Sequence, residues 1–151
     1  MMMPISFFVE GDPKPQPRPR AFARKIGNKF MARVYDAGTA ENWKSRIADA
    51  AKEFRPDKPL DVPLSVRMDF FFARPKSHHH TGKRAGELRR DAPYYHASRP
   101  DLDNLSKAVI DCLMQIGFFK DDALIAVNFT TKNYADHPGV SVRILELENS
   151  L

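Results

Sequence analysis

The sequence predicts an α+β fold: a single domain with a mixed sheet of about five strands and two main helices packed on it. Three observations carry this expectation. Runs with apolar residues at every second position recur along the chain, as in Leu64, Val66, Met68, Phe70 and Phe72. Two longer runs repeat their apolar residues at steps of three and four, the spacing of a helix that buries one face. No internal repeat or composition break divides the 151 residues, a length that one core serves.

Taken in order, Ile5–Glu10 reads as the first strand, ended by Gly11, Asp12 and Pro13. Pro13, Pro15, Pro17 and Pro19 then favour an extended backbone. Gly27-Asn28 places a turn between Ala21–Lys25 and Lys29–Tyr35. From Pro13 to Tyr35 the charged residues are all basic: Lys14, Arg18, Arg20, Arg24, Lys25, Lys29 and Arg33. Such a segment suits contact with nucleic-acid phosphates, or is simply a solvated loop. Phe22 and Phe30 are expected in the core before any stacking role.

The first helix is expected to start at Thr39 and to end at Phe54, before Arg55-Pro56, with Trp43, Ile47, Ala50, Ala51 and Phe54 on its apolar side. Leu64–Ala73 follows as a strand buried on one face. Residues 74–98 form a long basic loop with weak periodicity, carrying Lys76, Lys83, Arg84, Arg89 and Arg90. A loop of this length is functional or flexible in most compact domains, and here a clamp that orders on binding DNA is the favoured reading. His78, His79 and His80 raise a zinc site, but adjacent side chains diverge and no Cys/His partner stands at finger spacing. Two closing strands, Ala123–Asn133 and Gly139–Glu148, are joined by a short turn and are expected to pair antiparallel.

The chain carries 24 basic and 19 acidic residues, a net charge of +5, with a pI near 9.4. That balance permits a polyanionic partner. The only cysteine, Cys112, rules out an intramolecular disulfide, fits a reducing cytoplasm and falls on an apolar helix face as a structural thiol. No stretch nears the roughly 20 apolar residues that span a bilayer. The opening MMMPISFFVEG lacks the basic region of a signal peptide.

The most informative stretch is RPDLDNLSKAVIDCLMQIGFFKDD, Arg99 to Asp122. Leu102, Leu105, Val109, Cys112, Leu113 and Ile116 share one helical face, Asp101 or Asp103 suits the N-cap, and Gly117 suits the stop. The polar side aligns Asp103, Lys107 and Asp111 at four-residue spacing. Crowded carboxylates repel one another unless a cation neutralises them. Oxygen-only donors favour a hard ion such as magnesium or manganese, and a lysine beside that ion suits a charged phosphate. A helix cap followed by a solvated Asp–Lys pair explains the same spacing.

The string PDLDNLSKAVIDCL…GFFKDDALI closely resembles the core motif of the RusA-type Holliday-junction resolvases, endodeoxyribonucleases common in phages and prophages. The resemblance extends over most of the chain, including the proline- and arginine-rich loop and the ARPKSHH strand end. It implies metal-binding acids at Asp101, Asp103 and Asp122 and a catalytic lysine at Lys107, all four present here. Asn104 is then a supporting residue, Asp122 is preferred over its neighbour Asp121, and Asp111 is a surface or structural carboxylate. The resemblance further implies magnesium, with manganese as a substitute and no small-molecule cofactor, and branched DNA, a four-way junction, as the substrate. It also implies a homodimer making paired symmetric nicks in recombination and repair. Lys14, Arg18, Arg20, Arg24, Lys76, Lys83 and Arg84 become the DNA-binding candidates, and Phe118 and Phe119 candidates for the dimer interface. The expected setting is a bacterial cytoplasm, without membrane attachment. Two other classes remain open: a different structure-selective nuclease, or a DNA-binding protein that does not cut.

Overall fold

The computed structural model describes residues 3–17, 20–26, 29–35 and 40–148, with the backbone alone defined across residues 20–26 and 29–35. Its elements are β1 (Ile5–Glu10), β2 (Arg20–Ile26), β3 (Lys29–Tyr35), α1 (Glu41–Ala51), β4 (Leu64–Phe72), α2 (Leu102–Gln115), β5 (Ile125–Tyr134) and β6 (Gly139–Glu146). The main sheet has four strands in the order β1-β6-β4-β5, and β2 and β3 form a separate antiparallel ribbon. The sheet is therefore one strand smaller than expected, because the ribbon stands apart from it. Thr39, the expected start of α1, lies outside the described residues, as do Gly27 and Asn28.

One topological expectation is overturned. β5 and β6 do not pair with each other, because β4 lies between them, parallel to β5 and antiparallel to β6. The cause is the crossover through α2, which returns the chain to the end of the sheet where β4 began, so that β5 runs alongside β4. The chain then crosses the end of β4, where the Ala135 N–H donates to the Phe72 carbonyl at 2.9 Å. A short connection is thus compatible with a split pair as well as with a hairpin.

Alternation decides which face of the sheet is buried. Leu64, Val66, Met68 and Phe70 on β4, Val140, Val142 and Ile144 on β6, and Phe7 and Val9 on β1 are all removed from water. Trp43, Ile47 and Ala51 of α1 and Leu105, Val109, Cys112 and Leu113 of α2 join them in one core. Both helices therefore cover the same face. Cys112 is buried there as a structural thiol; its Sγ donates to the Lys44 carbonyl at 3.4 Å, and burial pushes its pKa up.

The end of α2 fixes the path into the acidic turn beyond it. Gly117 has φ +94°, a conformation that suits glycine. The Phe118 N–H bonds to the Leu113 carbonyl at 3.0 Å and the Gly117 N–H to the Met114 carbonyl at 3.1 Å, which closes a Schellman turn. Phe118 and Phe119 are 0% and 1% exposed, so they are core residues and are withdrawn as interface candidates. The Leu60 N–H donates to the Phe118 carbonyl at 2.9 Å, and the Lys120 N–H to the Leu60 carbonyl at 3.0 Å. The turn is thereby clamped on both sides of its aromatic pair.

Residues 74–98 fold as short 3-10 turns closed by a β-bridge between His79 and Leu88. The loop is tied to the sheet by its aromatic residues. His96 stacks on Phe72 with centroids 4.1 Å apart, and His78 meets Tyr134 edge-on at 4.8 Å.

At Gly139 a Cβ would run into the Val9 carbonyl oxygen and stand 2.6 Å from the Phe8 ring. Gly139→Ala is expected to cost about 1–3 kcal/mol through overpacking at the β1–β6 pair. Urea unfolding measures it, and an unchanged midpoint would show that the two strands are not held this closely.

Candidate active site

Pro100 and the extended backbone of Asp101 start α2. Asp101 occupies the N-cap position with φ −70° and ψ 143°, yet its side chain makes no capping hydrogen bond. The carboxylate is therefore not consumed by the helix end, although its charge and that of Asp103 favour the positive end of the helix dipole. The chain before it is held from β5. Lys132 Nζ donates to the Ser98 carbonyl at 2.6 Å and to the Pro100 carbonyl at 2.8 Å. Partial burial pulls the Lys132 pKa down, while the charge of Asp101 opposes that shift.

A cleft of about 820 Å³ opens between α2 and the exposed edge of β5. Asp103, Lys107 and Asp111 face it from successive turns of α2, and Asp122 faces it from the turn before β5. Their common side follows from four-residue spacing on a helix. Lys107 Nζ lies 3.6 Å from Asp111 Oδ2, and the side chains are 58% and 18% exposed. The lysine thus remains available to a ligand, while Asp111, expected as a surface or structural carboxylate, is turned into the cleft.

The adjacent acids Asp121 and Asp122 take different roles. Asp121 Oδ1 accepts a hydrogen bond from the Ala123 N–H at 2.9 Å, capping the 3-10 turn of residues 122–124. That bond, with a second from Asp122, holds the Asp121 pKa below the ordinary carboxylate range. Asp122 is pushed upward, first by the hydrogen bond it shares with Asp121, then by slight burial and the charges of Asp121 and Asp111, with Lys107 opposing. The cleft therefore carries more negative charge than its lysine balances. A bound cation would relieve this excess.

Asp103, Lys107 and Asp122 are thus brought together. Asp101 lines an adjoining groove with Asn104, Pro15, Arg99 and Pro100. Among the described residues, no group of three or more His, Cys, Asp or Glu side chains is gathered in metal-holding geometry. The donor chemistry nevertheless fits a hard ion, since Asp101, Asp103, Asp111 and Asp122 offer oxygen alone.

The N-terminal basic segment reaches the same region. The Gln16 N–H donates to the Asn104 carbonyl at 2.9 Å, laying residues 13–17 across the start of α2. Lys14 is exposed there and shares a groove with Arg99 and His96. Arg18 lies outside the described residues, and for Arg20 and Arg24 only the backbone of β2 is defined. Lys76, Lys83 and Arg84 are exposed on the 74–98 loop and do not line the acidic cleft. Arg84 is paired with Glu87 at 2.9 Å. Sequence reasoning missed Ser106 on α2 and the opposite wall of the cleft, which β5 forms with Asn128, Phe129 and Thr130. Polar residues interrupting the alternation of β5 were the available signal.

Comparison with known proteins gives two findings. The family model described as Endodeoxyribonuclease RusA matches residues 10–145. The uncharacterized protein YqaN of Bacillus subtilis (strain 168) is 29% identical over 143 residues, covering 95% of this chain and 96% of that protein.

Replacing Asp121 by Asn keeps an oxygen for the Ala123 N–H but removes the charge beside Asp122. The Asp122 pKa is expected to fall toward the ordinary carboxylate range in Asp121→Asn, followed by carboxyl NMR titration. A value as high as in the parent protein would show that Asp121 is not what raises it.

Proposed function

The chain belongs to the RusA endodeoxyribonuclease family, and we propose that it resolves four-way DNA junctions by metal-dependent, paired nicks. The observation that carries this reading is the convergence of Asp103, Lys107 and Asp122 on one cleft, with Asp101 in a separate groove at the N-cap of the same helix.

Asp101, Asp103 and Asp122 would hold the ion, magnesium by preference with manganese as a substitute. Such an ion supplies an activated water and polarises the scissile phosphate. The chain itself supplies the rest. Lys107, steadied by Asp111, offers an ammonium group to the charge that develops on the phosphate or the leaving oxygen. Asn104 supports the acids from within the first turn of α2. Lys14, Arg18, Arg20 and Arg24 on the N-terminal segment, and Lys76, Lys83 and Arg84 on the loop, would contact the DNA backbone and make binding strongly salt-dependent.

A four-way junction has two-fold symmetry, so a symmetric dimer of this chain would present one cleft to each of two opposed strands. The bacterial cytoplasm, where such DNA is found, is the proposed setting. No helix among the described residues is long and apolar enough to cross a membrane.

The test is a synthetic four-way junction incubated with magnesium, with chelator, and with Asp103→Asn in place of the parent protein. Symmetric nicks that require the ion are expected, with a loss of at least about a hundredfold in the variant. Binding without cleavage in magnesium or manganese would leave a DNA-binding protein. Equal cutting of linear duplex would leave a nuclease without junction selectivity.

A further inference from the structure

Lys132 is a half-buried lysine on β5 and takes no part in the chemistry assigned to Lys107 and the acids. Its strand position decides where it points. It stands opposite Phe70 in the β4–β5 register, and Phe70 is buried in the core that the two helices cover. Partners in a sheet register share a face, so Lys132 projects toward α2 and not toward the uncovered side of the sheet. Asn128, on the same face of β5, shows the direction by donating to Ser106 Oγ of α2 at 3.0 Å.

One residue thereby holds the approach to α2 at several points. The Lys132 carbonyl accepts from the His96 N–H at 3.1 Å. Its Nζ donates to the Ser98 carbonyl at 2.6 Å and to the Pro100 carbonyl at 2.8 Å. An ammonium group carries three N–H donors and no acceptor, so two carbonyls turned to one side suit it. The Pro100 bond has the most direct consequence, because that carbonyl belongs to the peptide unit that enters Asp101. The proline ring already restricts φ, and fixing the oxygen fixes the ψ that remains.

Asp101 thus starts from a set backbone, with φ −70° and ψ 143° and a side chain that makes no capping bond. An aspartate has only two side-chain torsions, so a fixed backbone confines its carboxylate to a small region. That region matters for the site. Asp101 borders a groove of its own while Asp103 and Asp122 face the cleft, so its share in one ion depends on where the backbone holds it. Asp101 is also near enough for its charge to act on the Lys132 ammonium group.

We propose that Lys132 is a positioning residue: it aims Asp101 at the ion shared with Asp103 and Asp122, and itself touches neither ion nor DNA. The inference rests on the metal site of the proposed function and adds the residue of β5 on which that site depends. Metal ligands rely on such outer partners, whose loss commonly costs about 10- to 100-fold in metal affinity or activity. Lys107 and Lys132 would then divide the work, one offering its charge to the phosphate and the other setting a ligand.

The experiment uses the full chain and reads manganese binding by electron paramagnetic resonance, junction binding in chelator, and single-turnover cleavage in magnesium. Lys132→Met removes the donors and keeps the bulk, whereas Lys132→Arg keeps donors and charge. Lys132→Met is expected to weaken manganese binding by roughly 10- to 100-fold and to slow cleavage, with junction binding near that of the parent. Lys132→Arg is expected to recover most of the loss. Added to Asp101→Asn, Lys132→Met is expected to cost little more, because both changes remove the same contribution. Lys132→Gln, which is neutral but retains an amide donor, is expected to lose affinity in the same direction and is the variant read if Lys132→Met does not fold. Unaltered manganese binding in the neutral variant would overturn the proposal. Losses that add in full in the double variant would place Lys132 in a contact independent of Asp101 and overturn it as well. A fall in junction binding with manganese binding intact would make Lys132 a DNA contact, which also overturns it. Coupling of Lys132 to Asp101 in a protein that binds manganese but cuts no junction would support the inference and remove the nuclease reading alone. A parent protein that binds no manganese would remove the metal site and this inference with it.

Discussion

Phe118 and Phe119 are consecutive and both buried just beyond α2, where the chain leaves its helix through a tight, fixed turn. The left-handed glycine at 117 makes that turn, and the Leu60 backbone clamps it from both sides. Burying a phenylalanine side chain contributes about 1.5–3 kcal/mol, so the pair is a substantial anchor. The anchor positions the next part of the chain: Asp121 to cap the following turn, and Asp122 to face the helix that has just ended. Without it, the acid of the turn and the acids of α2 would belong to independent segments.

The same turn explains why like charges are tolerated together. Asp121 is satisfied by a backbone N–H and stays the favoured anion of the pair, Lys107 is steadied by Asp111, and the repulsion falls on Asp122, whose charged form is the disfavoured one. Repulsion of this kind costs free energy in the isolated chain, and a bound cation would relieve it. The loop of residues 74–98 adds to the scaffold through His96 and His78 on Phe72 and Tyr134. Lys132 ties the two carbonyls before Asp101 to the sheet. The loop and the segment that leads into α2 are thus attached to the sheet at several points, while the basic side chains on the loop stay in solvent.

Much of this is legible in the sequence, for identifiable reasons. The α2 apolar face is written at helical spacing, Gly117 marks its end, and β4 alternates over nine residues. Strand order is not legible. A short link between β5 and β6 is a local feature, whereas the insertion of β4 between them depends on where α2 delivers the chain. Val127 and Phe129 are apolar residues of β5, yet an edge strand covered on one side leaves them in solvent. Period-two alternation says that a strand has two faces; it does not say which face is covered. The cleft wall on β5 escapes for that reason, and the inward turn of Asp111 because one helix side serves surface and site alike.

Manganese binding to the parent protein and to the single Asp→Asn variants at positions 101, 103, 111 and 122, followed by electron paramagnetic resonance, tests the account most directly. Asp101→Asn, Asp103→Asn and Asp122→Asn are each predicted to weaken binding by roughly tenfold or more, a loss of about 1.4 kcal/mol, with Asp111→Asn close to the parent. Binding that is insensitive to Asp101→Asn and lost in Asp111→Asn would move the ion along α2 and contradict the assigned ligand set. No binding at all by the parent protein would contradict the metal site itself.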